Sequence, residues 1–540
     1  MKKSLLLSIF CALHAGLIPG AYAQNSYWQQ EVNYKLDVTL NDADQTLQGT
    51  AAIEYINHSP DTLRFIWFHI WANAYKDNST AFYRQLENVK SRTSKLLANQ
   101  KNGYMDSLRF TVNGKIAVVE LQDENIDIMK IMLNDDLLPG GHVSIETPFS
   151  VKIPGYISRM GYSDGMFMIT QWYPKPAVYD RKGWHPIPYL DMGEFYSEFG
   201  NFEVTINVSS EYVVAATGTL LTTDELMQYK SVGNKNLKLF KQVGNAKEKA
   251  NEYFPRFKSA FKKLQYYAKN VHDFAWFADK DLVIQYDTLL LKSGKVTDVF
   301  SFKQPSGNEE WINSIEFVKD ALKKYSQWIG EYPYEVAIAV EGPSNASSGG
   351  MEYPMITMIT SPGADRENLD AVITHEVGHN WFYGVLATNE RDHAWMDEGI
   401  NTYYQFRYEA EKYRSNSIFG NAIPLEAKQQ SSQQFLHALY NAFANIPMFT
   451  PIDIPAAEFS SDEDYSLTVY IKAATWMYKL ESLMGRETLD SGMQEFFSQW
   501  KFRHPYPEDL LQVLQKKSGK DLGDIFLLLS KKGSLNASSK

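Results

Sequence analysis

The stretch His375-Glu376-Val377-Gly378-His379 constrains this chain more than any other. On a helix, residues four apart share a face, so both imidazoles reach one ion while Glu376 is placed to act on water held there. A catalytic zinc takes three protein ligands and leaves a fourth position open. One way to complete the set needs a glycine and a further histidine downstream, but Phe382 and Val385 occupy those places. The other way draws a glutamate from the next helix. Glu398, within Trp395-Met396-Asp397-Glu398-Gly399, stands nineteen positions after His379 and opens a helical run from Asn401 to Ala410. His375, His379 and Glu398 are therefore the expected ligands of one zinc per chain. Asp392 and His393 compete for the third place, although their position in the connecting stretch suits a loop or supporting role. A surface or capping histidine pair is the alternative against which these neighbours weigh.

The rest of the chain sets the frame. At 540 residues and 44% hydrophobic content it is too long for one ordinary core and too apolar to stay unfolded. Lys2 and Lys3, the apolar run Leu5 to Leu13 and the small-residue site Ala21-Tyr22-Ala23 predict an export signal over residues 1–23, hence a periplasmic or secreted protein. His14, Gly16 and Pro19 interrupt residues 4–19, which argues against a membrane anchor, and no other stretch is long and apolar enough to span a bilayer. Cys11, the one cysteine, lies inside the signal behind bulky Phe10, which disfavours a lipoprotein and predicts a mature chain without disulfides. The formal charge of −11 argues against a nucleic-acid partner.

Val32, Tyr34, Leu36, Val38 and Leu40 alternate with polar residues, as do Phe202, Val204, Ile206 and Val208, the period of half-buried antiparallel strands. A β-rich domain over residues 24–285 follows. Within it, residues 230–263 hold nine lysines and one arginine and read as a solvated insertion between strands. Beyond it the period changes. Trp311, Ile315, Val318, Leu322, Tyr325 and Ile329 mark a helix capped by Gly330, Tyr353 to Ile359 reads as a strand, and helical patterns dominate from about 366 onward. A mainly helical catalytic domain is expected over 286–535, with a loose tail at 536–540. The rings of Trp172, Tyr173, Trp184 and Tyr189 offer a sugar-binding face, but Pro174, Pro186 and Pro188 among them favour packing at the domain seam.

The zinc motif, Glu398, the upstream Gly349-Gly350-Met351-Glu352-Tyr353 and the later Tyr470-Ile471-Lys472 together resemble the aminopeptidase N family of gluzincin zinc peptidases, over nearly the whole mature chain. The resemblance implies a multidomain α/β architecture: a saddle-like antiparallel β-sandwich followed by a thermolysin-like, mainly helical domain that removes residues from the amino end of peptides. It implies Glu376 as the general base on the zinc-bound water, Tyr470 as the hydroxyl donor to the oxyanion, and Glu352 as the carboxylate that binds the substrate's α-ammonium. Gly350 and Met351 are then expected to pair their backbone with substrate. Two positions depart from the family pattern. Tyr353 stands where asparagine is usual. In Thr170-Gln171-Trp172-Tyr173-Pro174, Tyr173 takes the place of a second amine-binding carboxylate, leaving Gln171 as a displaced substitute. Only 70 residues follow Tyr470, so no helical-repeat domain is expected and the cleft should be more open. The leading expectation is a zinc aminopeptidase acting on extracytoplasmic peptides. The alternatives are a zinc peptidase with a relaxed need for a free amino terminus and a catalytically inactive binding scaffold.

Overall fold

The computed structural model describes residues 27–89, 102–122, 124–243, 260–344, 348–418 and 424–536. The predicted export signal, Cys11 and the last residues of the tail lie outside them. Alternation in the first half translates directly into strands. In β1 (Glu31–Asn41), Val32, Tyr34, Leu36, Val38 and Leu40 all point into the core, while their neighbours face outward. With β2 (Thr46–Ile56), β3 (His142–Lys152), β4 (Gly200–Ser209) and β5 (Phe261–Val271) it forms the middle of a nine-stranded sheet in the order β5-β4-β1-β2-β3. One pairing departs from the antiparallel expectation. β1 and β4 run parallel, with Leu36 opposite Val204, because the chain makes a long crossover before returning beside its own first strand. Two four-stranded sheets add to this half, and a single apolar core runs on into the second half of the chain.

The basic stretch is corrected by the structure. Its first part belongs to helix α1 (Thr223–Val243), whose Val232, Leu237 and Phe240 are buried and whose Lys230 pairs with Asp298 at 2.6 Å. Gly233 lets the helix backbone press on β6 (Val283–Leu290), where a Cβ would sit 2.6 Å from Tyr286. Residues 244–259 of the same stretch lie outside the described residues.

The second half is built on a five-stranded mixed sheet: β6, β7 (Val296–Lys303), β8 (Val336–Glu341), β9 (Gly350–Tyr353) and β10 (Ile356–Ile359), in the order β6-β7-β8-β10-β9. The run read as one strand from Tyr353 to Ile359 is instead the turn and return of a hairpin. Met355 takes a φ of +67°, which reverses the chain and leaves β9 as the edge strand. Helix α2 (Ser314–Trp328) follows the predicted period, but Gly330 is a packing glycine: a Cβ there would meet the Phe497 ring at 2.3 Å. Helices α3 (Arg366–Phe382), α4 (Glu398–Lys412) and α5 (Ala473–Met484) complete the frame around the site. The aromatic cluster is packing, but within the β-rich half and not at the seam: Trp172, Tyr173 and Tyr189 are fully buried, Trp172 against Phe149 and Trp276, and its indole donates to the Phe274 carbonyl.

Candidate metal centre and substrate cleft

Helix α3 starts cleanly, its N-cap Asp365 accepting from the Asn368 amide, and it is then buried on nearly every side. Burial demands that its polar groups be bonded, and they are used to fix α4 beside it. Asp370 accepts from Tyr408 at 2.9 Å and from Tyr413 at 2.6 Å, and pairs with Lys412 at 2.6 Å. Asn401 donates to the His375 carbonyl at 2.7 Å and accepts from the Tyr325 hydroxyl at 2.7 Å. Gly378 makes this approach possible, since a Cβ there would lie 2.1 Å from Asn401 Oδ1. Residues far apart on two helices are thus brought to one point.

At that point His375 Nε2 lies 3.1 Å, and His379 Nε2 3.3 Å, from Glu398 Oε2. The three donor atoms lie within 4.8 Å of one another, and a nitrogen–nitrogen–oxygen set of this kind suits zinc. The other ring nitrogens are spoken for: His375 Nδ1 donates to Gln405 at 2.9 Å and His379 Nδ1 to Asp397 at 2.6 Å. Both Nε2 lone pairs are thereby turned toward the common point. Burial opposes ionisation of Glu398, but the His379 and His375 imidazoles offset it and hold its carboxyl below the usual carboxylate range. Burial also works against protonated His379, yet the carboxylates of Asp397, Glu352 and Glu398 hold its pKa well above the ordinary imidazole value. So dense a group of carboxylates around two imidazoles is an environment made for a cation.

The remaining side chains surround a cleft of about 490 Å³. Glu376, Glu352 and Tyr470 line it beside the three donors, as does Gly350. Glu376 Oε2 and Glu352 Oε1 are buried oxygens with no hydrogen-bond partner. Burial raises the pKa of both carboxyls, and in each case neighbouring carboxylates add to it while His379 opposes. Gly350 is small for a local reason, because a Cβ would sit 2.2 Å from Glu376 Oε1. Asn380 fixes the relation between the two glutamates by accepting from the Met355 amide at 2.9 Å, which ties the β9–β10 hairpin to the helix carrying Glu376. Met351 sends its side chain into the core, leaving only its backbone on the edge strand. The Tyr470 hydroxyl donates to Glu398 Oε1 at 2.5 Å, and its ring stacks on His375.

Two expectations change. Gln171 is buried away from the cleft, donating to Asp273 at 2.5 Å and accepting from Lys175 at 2.9 Å, and Tyr173 donates to the same Asp273. Neither lines the cleft. The β-rich half instead presents Glu194 to the cleft, gripped by the Arg159 guanidinium through Nε at 2.7 Å and through Nη2. Nothing in the sequence around Glu194 marks it, because it arrives by tertiary packing from a loop without a spacing pattern. His393 turns away from the metal donors to bond Asp453 at 2.7 Å, so the orienting carboxylate of His379 is Asp397.

Comparison with known proteins adds the following. Residues 314–528 match the model of the peptidase family M1 domain. The chain is 30% identical over 207 residues to a leucine aminopeptidase 2 of Sclerotinia sclerotiorum, covering 36% of this chain and 32% of that protein. It is 28% identical over 207 residues to a leukotriene A-4 hydrolase homologue of Botryotinia fuckeliana, covering 36% of this chain and 30% of that one. The chain thus spans about a third of the length of these relatives. Among solved structures, an M1 zinc metallopeptidase from Deinococcus radiodurans superposes with a TM-score of 0.59 at 13% identity, over 95% of this chain and 96% of that one. An aminopeptidase A from Legionella pneumophila gives 0.61 at 14% identity, over 95% of this chain and 50% of that one. The β-rich half followed by a mainly helical half is therefore the two-domain M1 fold.

Proposed function

We propose that this chain, which belongs with the aminopeptidase N-like gluzincins through its M1 peptidase domain, is a zinc aminopeptidase that hydrolyses the first peptide bond of extracytoplasmic peptides. The observation that carries the reading is the unpartnered, buried Glu352 oxygen opening into the same cleft as the His375, His379 and Glu398 donor atoms. A carboxylate there holds a free α-ammonium and so sets the distance from the amino terminus to the bond that is cut. When bound by His375, His379 and Glu398, zinc supplies a Lewis acid for the scissile carbonyl.

Each remaining step falls to a side chain of the chain itself. Glu376 takes a proton from the attacking water and delivers it to the departing amine, breaking the C–N bond and freeing one amino acid. Tyr470 keeps its phenol proton, because burial and the Glu398 charge raise its pKa well above 10, and it donates that hydrogen bond to the developing oxyanion. Gly350 leaves room for substrate backbone to run along the edge strand beside Glu376. The export signal supports an extracytoplasmic site of action.

A second reading rests on Glu194. Its carboxylate is already occupied by Arg159, which leaves Glu352 as the one unpaired amine anchor and favours a looser demand for a free terminus. A panel of aminoacyl amides, free and N-acetylated, decides between the two. Cleavage of free substrates alone supports the first reading, and equal rates on both would discard Glu352 as an anchor. In the same assay Glu376→Gln should retain one zinc per chain and lose about 10²–10⁴-fold in kcat; full activity would refute the scheme.

A further inference from the structure

Tyr470 sits in an unusual piece of backbone. A short helix at Asp462–Tyr465 runs into a π-helical turn, Ser466–Lys472, before α5 begins at Ala473. Wider turns of this kind are rare and persist where surrounding contacts hold them, often at functional sites. On one side the turn is pressed against α4. Gly399, next to Glu398, has no side chain, and a Cβ there would lie 2.4 Å from Ala473 Cβ and 2.8 Å from the Val469 carbonyl. Tyr470 faces the cleft from this side.

Lys472, two residues on, points elsewhere, as helical neighbours at that spacing do. It is 1% exposed, and among the described residues no carboxylate lies within ion-pairing distance of it. Its ammonium donates instead to two backbone carbonyls of the adjoining loop, Thr450 at 2.5 Å and Met448 at 3.2 Å. Burial pulls the amine down to about 8, with the charge of Asp464 opposing. Asp464 closes the circuit, accepting from Thr450 Oγ1 at 2.9 Å and from Thr468 Oγ1 at 3.4 Å. The loop is therefore bonded to both ends of the turn. An unpaired buried ammonium is a costly way to fill space, and an apolar side chain would fill it more cheaply. What the lysine adds over an apolar residue is the directed grip on two carbonyls.

We propose that Lys472 is a positioning residue for catalysis: by gripping the Met448 and Thr450 carbonyls it keeps residues 466–472 wound as a π-turn and holds the Tyr470 hydroxyl over the cleft. The proposal rests on Tyr470 as the oxyanion donor, and a double-mutant cycle separates the two ideas. In the zinc-loaded enzyme, Tyr470→Phe is expected to lower kcat by about 10²-fold. Lys472→Met should lower kcat by about tenfold or more, leaving KM within about twofold and zinc at one per chain. Lys472→Arg, which can still donate to both carbonyls, should recover most of the loss. Lys472→Met added to Tyr470→Phe should cost nothing further, because the group being positioned is gone. Unchanged kcat in Lys472→Met, or losses that multiply in the double variant, would overturn the proposal. Full kcat in Tyr470→Phe would instead overturn the role of the phenol itself. If Lys472→Met does not accumulate as folded protein, Lys472→Gln, with a donor for one carbonyl, takes its place under the same outcomes.

Discussion

Glu376 and Glu352 show how single residues are set by what is missing next to them. The 2.2 Å that a Gly350 Cβ would leave to Glu376 Oε1 means that Gly350→Ala displaces the Glu376 carboxylate, the base of the proposed reaction. The expected result is a fall in kcat with zinc content unchanged, read by steady-state kinetics and metal analysis. Asp397 is the second sensitive residue. Its bond to His379 Nδ1 orients a zinc ligand, so Asp397→Asn is expected to weaken zinc binding by about 10–100-fold, measured by competition with a chelator. That His375, Glu376, His379 and Glu398 meet at one place was legible in the sequence from their local spacing, and that Glu352 joins them was legible only through the family resemblance. Asp397, Gln405 and Glu194 were not, since each is chosen by three-dimensional neighbours and carries no pattern. Gln171 misled for the same reason: a motif position survives as a place in the chain, while its side chain serves the buried Asp273 network.

Among the elements, α3 and α4 form the unit on which the site depends, and their spacing is set by Gly378 against Asn401 and Tyr325. Gly378→Ala is expected to force the helices apart, costing about 1–3 kcal/mol of stability and weakening zinc binding with it. Urea unfolding of the metal-free and metal-loaded forms checks both effects; a variant as stable and as tight as the parent would show that the helices can shift freely. Periodicity located α2 and the start of α4, because an apolar stripe on a long helix leaves a strong signal. It missed the β9–β10 hairpin, whose reversal is made by Met355 at positive φ where no glycine announces it. It missed α1 as well, since a high density of lysines hid the apolar residues by which that helix docks, Tyr229, Val232, Leu237 and Phe240.

At the scale of the molecule, buried polar links join the two halves. Glu198 meets His504 at 3.1 Å with both side chains 1% exposed, Tyr506 donates to Asp180 at 2.6 Å, and His272 meets the Tyr383 carbonyl at 2.9 Å. Within the β-rich half the Lys175–Asp273 pair is fully enclosed. Lys175→Met removes one partner and strands the other, so a loss of about 3–5 kcal/mol is expected in chemical denaturation. The cleft between the halves is lined by Asp191, Glu194, Glu352, Glu376, Glu398 and Asp462, with Arg159 the one arginine or lysine lining it among the described residues. Such a field draws in a cationic amino terminus, so kcat/KM for free aminoacyl substrates is expected to fall several-fold as salt rises to about 0.5 M, while N-acetylated controls hold level. The division into a β-rich and a helical half was legible from the change of period, but the parallel return of β4 beside β1 was not, because alternation is blind to strand direction.

The wall that Arg159 and Glu194 contribute has a further consequence. The metal donors fall close together in sequence and come from two adjoining helices, whereas the opposite wall is laid down long before them by a different half of the chain. Neither half lines the cleft alone. A molecule in which only one half has folded therefore carries only part of the lining of this cleft.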